Sequence, residues 1–308
     1  MLISIVIPVF NESSNLPHLQ ERLIRVLSNT SYSYELIYIN DGSTDSSLEI
    51  LKKIITPEVL IIDFSRNFGK ESAISAGLIH ARGDVVIPID SDLQHPPELI
   101  TELIQTHLKG WDVVFASRID RKNDGFFRSK LTKFFYKIND SITEHPIPLN
   151  SGDFRLMSRK VVNAINSLPE KNKYMKGIYG WVGFDTTNIS YEVAPRLNGV
   201  TSFNFLNLYK LAINGIFNFT SLPLKIWTYI GLTVASFSFL YSISILLKTL
   251  LFGVETPGYA STIIAVLFMG GIQLIGIGVL GEYISLIFTE SKQRPTYIVK
   301  DLIKYIND

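Results

Sequence analysis

Val85-Val86-Ile87-Pro88-Ile89-Asp90-Ser91-Asp92-Leu93-Gln94 is a run of five apolar residues that stops at two carboxylates one residue apart. A short uncharged run of this kind reads as a strand covered on both faces, the type found in parallel sheets. Working outward, Ile3–Val9 has the same character and ends in Phe10-Asn11-Glu12. Leu36–Ile39 ends in Asn40-Asp41-Gly42-Ser43-Thr44-Asp45, and Leu60–Ile62 supplies a further apolar run. Helical patterns separate these runs: Leu16, Leu19, Leu23, Ile24 and Leu27; then Leu48, Leu51, Ile54 and Ile55; then Ala73–Ala81 and Pro97–Leu108. Asp112–Ala116 makes a fifth strand. Strands alternating with helices predict an α/β domain with a mostly parallel sheet, whose ligands sit at the carboxyl ends of the strands.

Composition narrows the function. The 29 Lys and Arg residues against 28 Asp and Glu leave a net charge of +1, which argues against a nucleic-acid partner. The absence of cysteine excludes disulfides, thiolate zinc sites and cysteine nucleophiles. No strand is followed by G-x-G-x-x-G, and G-x-x-x-x-G-K-[ST], G-x-S-x-G and H-E-x-x-H are also missing. A dehydrogenase, a P-loop NTPase, a serine hydrolase and a zinc protease therefore lack their usual signatures. The first residues read as a strand entering a folded domain, and no signal peptide is expected.

The apolar excess lies near the end of the chain. Ile226–Leu247 and Tyr259–Gly281 carry no charged residue or histidine over 22 and 23 residues. Each run reaches roughly 33 Å as a helix, about one hydrocarbon core. Buried core helices rarely stay uncharged for so long, so the pattern predicts a transmembrane hairpin within 226–288. Lys210, Lys225, Lys292 and Arg294 flank it while Lys248 stands alone at the connection, which predicts cytoplasmic termini on an inner (plasma) membrane. Gly270, Gly271, Gly276, Gly278 and Gly281 suit close packing on the first span or on a second copy, so a homo-oligomer is permitted. The expected order is an α/β domain over 1–200, an amphipathic interfacial region over 201–225, two spans (226–247, 259–281) and a cytoplasmic tail over 289–308.

The strand ends carry the chemistry. Carboxylates at i and i+2 can hold one ion, or divide between an ion and a ribose. Mg²⁺ and Mn²⁺ favour a few carboxylates completed by substrate phosphates. A lone Asp-x-Asp is usually a solvated turn or a helix cap; three polar strand ends in order within one domain are a stronger signal. Of five histidines, four read as surface residues and His95 stands out because it directly follows the acidic turn.

The motifs Ile5-Val6-Ile7-Pro8-Val9-Phe10-Asn11-Glu12, Asn40–Asp45, Arg66-Asn67-Phe68-Gly69-Lys70-Glu71, Asp90–Gln94, Pro96-Pro97-Glu98-Leu99 and Ser151-Gly152-Asp153-Phe154-Arg155-Leu156 resemble family 2 glycosyltransferases of the GT-A fold. The chain is most similar to polyprenyl-phosphate glycosyltransferases, in particular bactoprenol glucosyltransferases of O-antigen modification, and more distantly to dolichol-phosphate mannose synthases. The resemblance implies a GT-A nucleotide-sugar-binding domain followed by the hairpin. It implies that Pro8, Phe10, Glu12 and Asp41 hold nucleobase and ribose, with Asn11 beside them on the donor side, and that Asp90 and Ser91 face the nucleotide. Lys70 and Arg66 after the third strand read as donor-loop residues, the alternative being cations that only start a helix. Asp92 and Gln94 would ligate Mg²⁺ or Mn²⁺ on the diphosphate. Arg118 and Arg128 would grip phosphate, Arg196 would close over the donor, and Asp153 would occupy the position proposed as base. Relatives commonly have Asp where His95 stands and Lys where Ser202 stands; the missing Lys leaves one phosphate contact open, with Lys210 a candidate to replace it.

The expected reaction is inverting transfer of one sugar, glucose from UDP-glucose, onto undecaprenyl phosphate at the bilayer. The alternatives are another donor (GDP-mannose, UDP-N-acetylglucosamine or a UDP-aminoarabinose derivative) or a non-catalytic membrane scaffold. A phosphate acceptor is already ionised near neutral pH, so Asp153 is not required as a base and can instead orient the acceptor. The structural alternatives for Asp153 are a pair with Arg155 or a cap on the following helix. For the basic and aromatic stretch from Arg118 to Phe135 the alternative is a face that docks on anionic headgroups.

Overall fold

The computed structural model describes residues 1–118, 151–170, 175–191, 222–252 and 258–305. These divide into two units: Met1–Asn204 together with Arg294–Asp308, and Phe205–Gln293.

The first unit begins with the expected alternation: β1 (Leu2–Val9), α1 (Leu16–Ser28), β2 (Ser33–Asn40), α2 (Ser47–Lys53), β3 (Val59–Phe64), α3 (Lys70–His80), β4 (Val85–Pro88), α4 (Leu99–His107) and β5 (Val113–Arg118). Beyond these come β6 (Ser151–Ser158), α5 (Arg159–Ser167), α6 (Met175–Trp181), β7 (Thr186–Tyr191) and β8 (Val299–Lys304). Ile3, Ile5, Val6 and Ile7 of β1 are fully buried, as its uncharged pattern requires of a strand covered on both faces. α1 lays Leu16, Leu19, Leu23 and Leu27 on the sheet at helical spacing.

The eight strands form one sheet in the order β7-β5-β6-β4-β1-β2-β3-β8. β1 pairs in parallel with β2 and β4, β2 with β3, and β5 with β7. The sheet is mixed rather than uniformly parallel, because β6 runs antiparallel between β4 and β5 and β8 runs antiparallel along β3. The insertion of β6 positions the site. Val85 faces Ser158 and Val86 faces Met157; continuing that register sets Asp153 opposite Asp90. Two carboxylates 63 residues apart in sequence thus meet at one edge.

Val299–Lys304, in the segment expected as a tail, covers the β3 edge from Leu60 to Phe64. Covering an edge removes the unpaired backbone groups it would otherwise present.

The second unit contains α7 (Leu222–Phe252) and α8 (Tyr259–Ser291). Among the described residues, one helical segment, Phe268–Ser291, is long and apolar enough to cross a membrane. Its apolar side chains face outward, with Leu274 71% and Ile287 66% exposed, which sets it apart from the core helix of a soluble domain. Gly276 is buried, and a side chain there would run into the indole of Trp227 on α7, so the missing Cβ is what lets Trp227 seat between the two helices.

Candidate active site

β4, β1 and β2 are parallel neighbours, so their carboxyl ends line one edge of the sheet. The loops that leave them are laced together. Asn11 adopts a positive φ of 56°. Its side-chain oxygen accepts from the Thr44 N–H at 2.8 Å, while its own N–H donates to Ser43 Oγ at 3.1 Å. The Glu12 N–H donates to Ser47 Oγ at 2.9 Å, and the Glu12 carboxylate accepts from Asn15 Nδ2 at 2.6 Å. Ser91 is buried and donates its hydroxyl to the Pro8 carbonyl at 3.0 Å, which ties the acidic turn to β1. The Asn11 oxygen and the Ser91 hydroxyl are thus engaged in joining loops. Phe10, directly after β1, is 46% exposed.

Asp41 is buried at the end of β2, and its carboxylate accepts from the N–H groups of Phe68 at 2.6 Å and Gly69 at 2.9 Å. It therefore sits on the N-terminus of α3, the helix end that favours a negative charge. Burial pushes its carboxyl above the usual range; the two N–H donors and Arg66 offset that only in part. Gly42, at φ +63°, lies so close to the backbone of Arg66 and Asn67 that a Cβ would collide with it. We expect Gly42→Ala to displace this loop, combining overpacking of about 1–3 kcal/mol with a strained backbone. The check is a lower melting temperature together with weaker nucleotide binding than wild type.

Lys70, the first residue of α3, is a cation at the helix end that disfavours cations. The carboxylates hold it there: Nζ lies 2.6 Å from Asp90 Oδ1 and 2.7 Å from Asp153 Oδ2. Burial by itself would lower the Lys70 ammonium, but the charges of Asp90 and Asp153 outweigh it and hold the group above the ordinary lysine range. One ammonium thus joins the β3–α3 loop, the β4 turn and the start of β6.

His95 is buried behind the turn. Its ring stacks on Phe154 at 5.1 Å and meets Tyr191 edge-on at 6.2 Å, and Nδ1 is 3.7 Å from Asp90 Oδ2. A ring packs at this position, where an unpaired carboxylate would be desolvated.

Asp153 pairs with Lys70, while the neighbouring Arg155 turns into the core. Arg155 Nη2 donates to the Gly152 carbonyl at 2.6 Å, and its guanidinium lies 3.7 Å from the centroid of the Tyr179 ring. Burial lowers the Arg155 guanidinium, and Tyr179 and Asp153 work against that; burial raises the Tyr179 phenol. Sequence reading missed Tyr179, because nothing in Met175–Trp181 distinguishes it from a core aromatic.

Asp92 and Gln94 share a tight turn in which Asp92 Oδ1 accepts from the Gln94 N–H at 3.1 Å and Leu93 takes φ +60°. Among the described residues no group of three or more carboxylate, histidine or cysteine side chains is placed to hold a metal ion by itself. A partial set on one half-buried turn fits a divalent ion that substrate phosphates complete. Arg118 ends β5 with its backbone beside Tyr191. Arg128, Arg196, Ser202 and Lys210 lie outside the described residues.

Comparison with known proteins adds three findings. The profile of "Glycosyl transferase family 2" matches residues 4–165. The chain is 48% identical to a bactoprenol glucosyl transferase of Shigella phage SfV, over 98% of this chain and 99% of that one. It is 47% identical to a prophage bactoprenol glucosyl transferase homolog of Escherichia coli K12, over 99% and 100%. Among solved structures, glucosyl-3-phosphoglycerate synthase of Mycobacterium tuberculosis, crystallised with Mn²⁺, UDP and phosphoglyceric acid, superposes with a TM-score of 0.50 at 19% identity, covering 69% of this chain and 75% of that one. That likeness bears on the fold, which is GT-A.

Proposed function

The chain belongs to glycosyl transferase family 2 and is a glycosyltransferase, and from that premise we propose that it transfers one glucose from UDP-glucose to undecaprenyl phosphate, with inversion, at the cytoplasmic face of a membrane. The geometric observation that carries the reading is the meeting of Asp90 and Asp153 on Lys70, beside the Asp92 turn, at the carboxyl ends of the strands. The near-full-length identity to bactoprenol glucosyl transferases supports the acceptor and the sugar.

In this reading an oxygen of the lipid phosphate attacks the anomeric carbon from the face opposite the diphosphate. The new C–O–P bond forms as the bond to the nucleoside diphosphate breaks, and the diphosphate leaves with the bonding pair. The nucleophile is already ionised, so no proton has to be removed, and Asp153 serves to orient. The difficulty is the approach of one anion to another. A divalent ion on Asp92 and Gln94 would supply charge neutralisation for the leaving diphosphate. Lys70 contributes a positive charge between Asp90 and Asp153, and Arg118 and Arg128 suit the attacking phosphate because guanidinium binds phosphate through two parallel hydrogen bonds. Phe10 and Asp41 belong to the nucleoside end, with Arg196 closing over the donor.

The chain's own connectivity supports the two-span topology. Met1–Asn204 and Arg294–Asp308 form one compact unit, so the intervening segment must cross a bilayer an even number of times. In this reading a crossing at Phe268–Ser291 is matched by a second, and among the described residues α7 is the other long helix of that unit.

The test uses membranes carrying the protein, undecaprenyl phosphate, Mn²⁺ or Mg²⁺, and labelled UDP-glucose beside GDP-mannose, UDP-N-acetylglucosamine and a UDP-aminoarabinose derivative. We expect label from UDP-glucose in the organic phase, lost with a chelator. Label from a different donor would keep the acceptor and replace the sugar; none from any donor, with the protein folded and inserted, would overturn the lipid-linked reading.

A further inference from the structure

We propose that Tyr297, in the segment that follows the last long helix, is a positioning residue for the loop that Asp41 holds, so that the C-terminal strand is a working part of the donor site. The inference rests on the reading of Asp41 as a donor-side residue, and its evidence is separate from the family resemblance.

Arg294–Asp308 belongs to the same unit as the sheet. The Tyr297 ring stacks on Phe64 at 4.9 Å with the planes 15° apart, and Phe64 meets Phe68 edge-on at 5.8 Å. Phe68 in turn carries the Arg66 guanidinium 4.0 Å above its ring and gives its N–H to Asp41. Three rings thus run from the residue just before the C-terminal strand to the one whose backbone the Asp41 carboxylate holds.

Backbone contacts run alongside. The Ser65 N–H donates to the Ile298 carbonyl at 3.0 Å, and Ser72 Oγ on α3 reaches the Thr296 carbonyl at 3.5 Å. Asp63, paired with Asp301 on β8, is buried and accepts from Asn40 Nδ2 at 2.7 Å, directly before Asp41. Both sides of the Asp41 loop, Asn40 on β2 and Phe68 before α3, therefore lean on strands that β8 braces. Burial of Tyr297 against Phe64 also raises its phenol, as expected of a ring placed for packing.

The deciding measurement is hydrogen exchange at the Phe68 and Gly69 amides of the full chain in detergent or nanodiscs, which requires no nucleotide. In Tyr297→Ala these amides should exchange about ten-fold faster, the size of one aromatic pair lost, while the β1 amides keep wild-type protection. Tyr297→Phe should restore the wild-type rate, and binding of UDP with Mn²⁺ should weaken in parallel, raising the donor KM while kcat holds. Should Tyr297→Ala not fold, Tyr297→Leu keeps bulk without the stacked ring and is read in the same way. Unchanged exchange at Phe68 and Gly69 in the folded variant would overturn the proposal. Failure of the wild-type protein to bind UDP or GDP would strike the donor-site reading instead, and the exchange result would still decide whether Tyr297 holds the loop.

Discussion

Lys70→Met is expected to reduce sugar transfer by about a hundred- to a thousand-fold, the range seen when one preorganised electrostatic contact is removed from an active site. Asp90 and Asp153 both lie within 2.7 Å of its ammonium, so the variant leaves the carboxylates of the β4 turn and of β6 without the cation between them. The stability cost should be about 1–3 kcal/mol, because the Lys70 side chain is 44% exposed but Asp153, 11% exposed, loses its partner. A large activity loss beside a melting temperature within a few degrees of wild type separates a working charge from a structural one. Lys70→Arg keeps the charge and should recover part of the activity. Wild-type turnover in Lys70→Met would remove Lys70 from the mechanism.

Asp92→Ala is expected to abolish transfer to about one part in a thousand, since a metal that offsets the leaving diphosphate contributes several kcal/mol to the barrier. Asp92 accepts a hydrogen bond within its own turn, and the melting temperature of the unliganded variant checks that the fold survives the substitution. The comparison is between two thermal shifts: UDP with Mn²⁺ should raise the melting temperature of wild type and leave that of Asp92→Ala unmoved. An undiminished metal-dependent shift in the variant would transfer the ligand role to another residue of the turn.

The first five strands and their helices are legible in sequence because each strand is a short uncharged run bounded by an amphipathic helix. The candidate donor residues are legible for a related reason: a ligand at the ends of parallel strands draws its contacts from the loops directly after apolar runs, which is where Asp41 and Asp90 stand. What escapes the sequence depends on contacts between distant segments. Lys70 looks like a cation beginning a helix until β6 inserts beside β4 and sets Asp153 opposite Asp90. His95 looks polar, and only the packing of Phe154 and Tyr191 makes it a core ring. Val299–Lys304 carries its charges at Lys300, Asp301 and Lys304, without alternation, and is largely exposed, so nothing in its periodicity points to a sheet; its pairing comes from the tertiary structure.

β8 has a consequence for the order in which the molecule is made. Phe64 finds Val299, its partner across the sheet edge, only after the ribosome has added the two long helices. At the usual rate of synthesis that interval is on the order of ten to fifty seconds, during which the β3 edge stands open to other chains. A nascent chain that loses its place before residue 294 is left with an unfinished sheet and an unbraced Asp41 loop. Completion of the sheet thereby waits on synthesis of both long helices.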